Sequence, residues 1–260
     1  MIKNGSVLFK NMLERVIVMI ELLKSHTSVR KYKDEPIPKE KLYEMIEAAQ
    51  HASSSHFVQA YSVIHVTDRE KMEELGKLSK NERQFETAAA ALLFCADLKR
   101  LEHAAKFHDE KLEGGNVESF IVPIVDTAIF AQNFVVAAEA EGYGICYIGG
   151  VRNNPKEISE LFELPDYVIP LFGMTVGVPA RQNEVKPRLP LQAVVHENRY
   201  DETKYESLLK EYDETMREYY RRRTRNKKDL TWTKSMADFV SVERRKHMKE
   251  FVQSKGFLQE

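Results

Sequence analysis

Three short stretches of this chain carry groups able to hold an anionic, flat ligand. In "HTSVR", His26, Thr27 and Ser28 offer imidazole and hydroxyl groups, and the Arg30 guanidinium follows two residues after Ser28. Such a set can surround a phosphate or hydrogen-bond an anionic ring. In "YIGG", Gly149 and Gly150 follow a buried apolar run, so a flat group could approach backbone N–H donors without a side chain in the way. In "KPRLP", Pro187 and Pro190 hold Lys186 and Arg188 in fixed directions, which lowers the entropy lost on gripping an anion. Each stretch has a plain alternative: a helix terminus with a surface arginine, a tight turn, an edge loop. Singly none is specific. Their coincidence in one neutral protein is informative.

Other chemistries have no signature. A Walker loop and a GxGxxG fingerprint are both absent, as are HExxH spacing and a GxSxG elbow. His103 and His108 read as neighbours on a solvated helix edge, so no metal site is expected. Cys95 and Cys146 lie in apolar surroundings without CxxC spacing and read as a buried, reduced pair. With 260 residues and 43% hydrophobic side chains the chain can bury a large core. A net charge of −1 argues against a general nucleic-acid binder. Charges interrupt "VLF" and "VIVMIELL", so no signal-peptide core forms, and no uncharged stretch is long enough to span a bilayer. The reading is a soluble, cytoplasmic protein with no membrane partner.

The elements that must position these groups alternate between helix and strand. Residues 38–52 place Leu42, Met45, Ile46 and Ala49 at helical spacing. "YSVIHVTD" has strand composition and "REKMEELGKLS" returns to helix. In "AAAALLFCADLKR" the Ala-rich beginning suits a helix, and "ALLFCAD" a buried strand. Residues 122–150 begin with a helix apolar almost all round, which belongs in a core or a subunit interface, and end in the short strand "ICYI". Residues 154–165 predict a helix capped by Asn154 with Pro155 in its first turn. "VIPLFGMTVGVP" reads as a central strand. From 204 to 255 the pattern is helical, broken by the basic stretch "RRRTRNKKD". Without clean βαβ periodicity the fold class is α+β, a sheet flanked by helices.

In chain order, "HTSVRKYKDEPIP", "HASSSHFVQ", "FCADLKR", "YIGGVRNNP", "PLFGMTVGVP", "KPRLPLQAVVHENRY" and "YDETMREYY" resemble the flavin-dependent nitroreductases. The likeness is strongest to the NADPH-dependent, oxygen-insensitive nitroreductase and flavin reductase branch, over residues 16–258. The resemblance implies an α+β fold with a mostly antiparallel central sheet, and an intertwined homodimer with FMN at the subunit interface. It also implies an N-terminal extension over 1–15, an FMN-binding domain over 16–200, and a C-terminal helical extension over 201–260. NADPH, or NADH, would reduce FMN, and nitroaromatics, quinones or free flavin would reoxidise it in alternation.

Carried over residue by residue, the resemblance gives His26, Thr27, Ser28 and Arg30 contacts to the FMN phosphate, ribityl chain and pyrimidine edge. Ser54 and Ser55 would come from the partner subunit, with Gln59 nearby. Tyr147, Ile148, Gly149 and Gly150 would back the isoalloxazine, with a glycine N–H toward N5. Lys186 and Arg188 would hold the phosphate or the flavin's anionic pole. Arg223 and Lys228 would grip the NADPH 2′-phosphate, although a solvated face or a nucleic-acid patch would look the same. No side chain serves as nucleophile, because the cofactor carries the chemistry. Two positions depart from the family pattern. Thr27 stands where arginine is usual, and Glu82 where glutamine is usual, placing a carboxylate where a reduced flavin would be negative. Either Gln84 substitutes or Glu82 points away. The rival readings are a flavin-sequestering protein without turnover and a basic-tail nucleic-acid binder. Trp232 is expected to pack at a helix start.

Overall fold

Strand β2 (Ala90–Asp97) is buried along its whole length, and alternation of its side chains explains the layers on either side. In the computed structural model, which describes residues 19–223 and 229–260, β2 lies inside a four-stranded sheet. The others are β1 (Tyr61–Val66), β3 (Gly144–Ile148) and β4 (Val168–Gly177), in the order β1-β2-β4-β3. All three pairings are antiparallel, and a bulge shifts the register between Phe94 and Cys95. Strand therefore begins at Ala90, inside the alanine run that on composition suited a helix. Burial from both faces decides against the helical propensity of alanine there.

Ala90, Leu92 and Phe94 face one cluster, joined by Ile145 of β3, Met174 and Val176 of β4, Leu42, Met45 and Ala49 of helix α1 (Lys39–Gln50), and Phe130, Phe134 and Val135. Ala91, Leu93 and Cys95 face the other, with Cys146 and Ile148, Met72 and Leu75 of α2 (Arg69–Ser79), and Phe85 of α3 (Glu82–Glu86). Fully burying a side chain the size of Phe134 or Leu93 contributes about 2 kcal/mol. Both cysteines are free and buried, and burial pushes both thiols up in pKa. They are inert packing groups.

After β2 come α4 (Lys99–Lys106) and the long helix α5 (Val117–Ala140). α5 starts five residues before the apolar pattern at 122, because Asn116 Oδ1 accepts from Ser119 N at 2.7 Å and caps it. Its length and mean hydropathy of 1.7 would suffice to cross a bilayer. It carries Asp126 in its middle, however, and one face packs on the sheet through Phe130, Ala131, Phe134, Val135 and Ala138. The opposite face leaves Val117, Ile121, Val125 and Ile129 exposed, one every four residues. After β3, α6 (Pro155–Leu161) has Pro155 at its first position as expected. Asn154 does not cap it: its amide instead donates to the Leu78 carbonyl at 2.6 Å.

The described residues form two compact units. One runs to Asn183 and takes back His247–Glu260; the other spans Glu184–Lys246. In the second, after the short α7 (Leu191–Val194), Tyr212, Met216 and Tyr219 of α8 (Tyr205–Arg222) pack with Leu189, Tyr220 and Trp232. Trp232 opens α9 (Trp232–Val240), and its ring meets Tyr212 edge-on at 5.9 Å. Helix α10 (Met248–Ser254) returns to the first unit, where Phe251 and Val252 are buried. The expected extension over 1–15 lies outside the described residues.

Candidate functional site

The stretch from His26 to Arg30 is loop, but an anchored one. Val29 N donates to the Ile145 carbonyl of β3 at 2.8 Å, and Lys33 N to Val178 O at 2.9 Å. Gly144 makes the approach possible: a Cβ there would stand 2.4 Å from Val29 Cγ2. Buried Tyr32 locks the far end, its hydroxyl 2.7 Å from Val29 O and 2.8 Å from Thr175 Oγ1. Burial pushes this phenol up in pKa and keeps it protonated. On this base the Arg30 guanidinium is exposed and pairs with no carboxylate among the described residues. The Thr27 and Ser28 side chains are half-buried beside it.

His26 is aimed by a residue that sequence spacing did not single out. Its Nδ1 lies 2.6 Å from Glu139 Oε1, near the C-terminal end of α5. The two side chains are 27% and 14% exposed, so the pair is partly desolvated. About two turns earlier on the same face of α5, Gln132 Oε1 accepts from the Tyr147 hydroxyl at 3.4 Å. Tyr147 stands edge-on to Phe172 at 5.2 Å. Burial, then the nearby Glu139 carboxylate, raise the Tyr147 pKa, so it remains a neutral phenol. The structure thus brings His26 and Tyr147 to one face of α5. The only sequence signal for Glu139 was a charge near the end of an apolar helix.

The rest of "YIGG" divides. Ile148 is buried in the core. Gly149 is open, with only Arg152 Nη2, 3.5 Å away, bordering the space a Cβ would take. At Gly150 a Cβ would meet Ser79 O at 2.0 Å and Asn81 Nδ2 at 2.4 Å, so the space on that side of the backbone is already filled. The glycine is required by the C-terminal end of α2, to which Asn153 also donates through Ser79 O at 3.2 Å. This packing brings the segment of Glu82 beside the turn. Glu82 itself is exposed, and Gln84 donates from Nε2 to Asn81 Oδ1 at 3.2 Å.

Ser54, Ser55 and Gln59 sit in a different place. Buried Asp126 accepts from Ser54 Oγ at 2.7 Å, Ser55 N at 3.1 Å and Ala60 N at 3.1 Å. Ser54 Oγ accepts in turn from Gln59 N at 2.7 Å, so its one proton is committed to Asp126 and one lone pair to the loop. Ser55 keeps its exposed hydroxyl. His56, Phe57 and Gln59 all take positive φ (45°, 60° and 50°), each costing about 1 kcal/mol in a non-glycine residue. Asp126 and Glu139 are 13 positions apart on α5, which is about 20 Å along its axis at 1.5 Å per residue. Within one chain this loop and His26 are therefore fastened to well-separated points.

In the smaller unit, Lys186 Nζ lies over the Tyr220 ring at 5.7 Å. Arg223 stacks on Tyr219 at 5.6 Å and on Tyr220 at 5.9 Å. Tyr212 Oη donates to Pro187 O at 2.8 Å and braces the "KPRLP" turn. The Tyr212 pKa is raised by burial, and the Arg188 charge opposes that rise. Lys186, Arg188 and Arg223 thus gather around one tyrosine cluster, with Lys186 and Arg188 exposed. Lys228 lies outside the described residues.

Against known proteins, residues 23–178 match the nitroreductase family model and residues 186–260 the model of its C-terminal domain. A Cr(VI) reductase of a Pseudomonas species is 59% identical, covering 91% of this chain and 98% of that one. The FMN reductase (NADPH) of Bacillus subtilis is 40% identical, over 92% and 97%. The solved NfrA1 nitroreductase of B. subtilis superposes with a TM-score of 0.89 at 40% identity, over 93% and 100%. A four-stranded antiparallel sheet flanked by helices, the anchored "HTSVR" segment and matches along both units place this chain in the nitroreductase family.

Proposed function

We propose that this protein is an FMN-dependent NADPH oxidoreductase that passes reducing equivalents, in alternating half-reactions, to nitroaromatics, quinones or free flavin. One observation carries the reading. In a loop tied down on both sides, Arg30 presents a guanidinium that pairs with no carboxylate among the described residues, next to Thr27, Ser28 and an imidazole oriented by Glu139. A cation with hydroxyl and imidazole partners fits a phosphorylated, flat cofactor that turns anionic on reduction. Bound FMN would supply the hydride chemistry. The protein's own residues bind and orient: Arg30 supplies positive charge, His26 a polar contact, Tyr147 a neutral aromatic wall, and open Gly149 room for close approach. By likeness to the family, Lys186 and Arg188 would hold the phosphate or the flavin's anionic pole, and Arg223 the 2′-phosphate of NADPH. Glu82 is exposed, so water screens its charge.

The reading includes a homodimer, working in the cytoplasm. Two features support it: the uncovered stripe Val117, Ile121, Val125 and Ile129 on α5, and the separation of the Ser54–Gln59 loop from His26 within one chain. A second copy would bring Ser55 and Gln59 to the first copy's cofactor. Chromate, the acceptor in the name of the Pseudomonas relative, belongs among the acceptors to be tried.

The test is spectroscopic. Purified protein should be yellow, bleach anaerobically on NADPH, and recover its colour on adding a nitroaromatic or a quinone. Colour without bleaching would leave a protein that only sequesters flavin. Colourless protein that takes up no FMN would refute the proposal. NADPH should be used with a higher kcat/KM than NADH, because an arginine at 223 would answer the 2′-phosphate; equal values would remove Arg223 from that role.

A further inference from the structure

Glu139 has no role in any of the motifs, yet among the described residues it makes the one short polar contact to His26, at 2.6 Å from Oε1 to Nδ1. The pair joins the anchored loop to the last turn of α5, 113 residues further along the chain. An imidazole can turn about its Cβ–Cγ bond, and a carboxylate held at Nδ1 removes that freedom and fixes which ring nitrogen carries a proton there. Glu139 is itself held: its side chain is 14% exposed, it projects from a helix whose neighbouring turns are packed on the sheet, and it lies close to the Tyr147 phenol. His26 Nε2 makes no hydrogen bond with any described residue and is the ring nitrogen left for a ligand.

Resting on the flavin reading above, we propose that Glu139 is a positioning residue: it holds the His26 ring so that Nε2 meets a polar group of FMN. It touches neither cofactor nor substrate and acts only through His26. A charged acceptor of this kind is worth about tenfold in the affinity that depends on it. Replacing it should therefore weaken cofactor binding while leaving the fold intact.

The experiment is titration of apo-protein with FMN, followed by quenching of flavin fluorescence, with thermal melts as a folding control. Glu139→Ala should weaken FMN binding about tenfold. Glu139→Gln, whose amide oxygen still accepts from Nδ1, should recover most of that loss. In a His26→Ala background Glu139→Ala should cost nothing further, since the residue it positions is gone. Repeating the series with riboflavin, which lacks the phosphate, separates the two polar groups Nε2 can meet. A loss seen with FMN alone assigns it to the phosphate, and an equal loss with both assigns it to the ring or ribityl side. The proposal is overturned if Glu139→Ala binds FMN like the wild type, or if its cost is undiminished in the His26→Ala background. Wild-type protein that binds no FMN would overturn the functional reading together with it, a result distinct from the other two.

Discussion

Removing the carboxylate of Asp126 tests how the loop over residues 54–60 is held. This side chain is 1% exposed and accepts from Ser54 Oγ, Ser55 N and Ala60 N. In Asp126→Ala the three donors lose their acceptor, but not equally. Ala60 is buried, so its N–H has no water to turn to, at a cost of about 2 kcal/mol. Ser54 is half-buried and its hydroxyl can be partly re-solvated, at about 1 kcal/mol. Ser55 is exposed, so water replaces its acceptor at about 0.5 kcal/mol. Alanine's better helix propensity returns about 0.5 kcal/mol. The net loss is about 3 kcal/mol, added to a loop already strained at three residues with positive φ. Asp126→Asn should behave differently. Its amide oxygen can keep Ser54 and Ala60 while its NH2 faces the exposed Ser55 N–H, a loss of about 1 kcal/mol. Urea unfolding of the apo-protein, compared at common m-value, reads both numbers. If the alanine variant loses less than about 1 kcal/mol, or the two variants lose the same amount, Asp126 does not clamp the loop.

Three further outcomes follow from single features. Charging the exposed stripe of α5 with Val125→Glu and Ile129→Glu should give a monomer by light scattering and weaken FMN uptake; a dimer of unchanged affinity would remove that face from the interface. Gly150→Ala drives a Cβ into the Ser79 carbonyl and should cost about 3 kcal/mol or more, because backbone cannot swing aside as a side-chain end could; a wild-type melting temperature would refute this packing. Burial and the charge of Lys39 hold the His65 pKa below the ordinary 6.5, so the unfolded chain takes up a proton at a higher pH than the folded one. Stability contributed by neutral His65 is therefore present above pH 6.5 and lost as pH falls from there toward the lower, folded value. His65→Gln should flatten the acid side of the stability profile, and an unchanged slope would clear His65 of the effect.

The local patterns reach far in this chain because each depends on a short run of residues. Strand composition marked β1, a run of apolar residues marked β4, helical spacing marked α1, and the ordered motifs pointed to the family and to a flavin. Hydrogen-bonding capacity marked His26 to Arg30 as a place for an anion, because charge and donor type are properties of the residues themselves. Boundaries and partners are another matter. Whether alanines at 90 and 91 begin a strand depends on what lies on both faces of it, and the Asn154 amide is turned to the Leu78 carbonyl instead of capping α6. Asp126 and Glu139 looked alike in sequence, two acids in an apolar helix. Only the tertiary structure gives one to the Ser54 loop and the other to His26, about 20 Å apart along α5. The reason is that sequence determines what a side chain can bond, while the distance to groups 66 to 113 residues away exists only once the chain has packed.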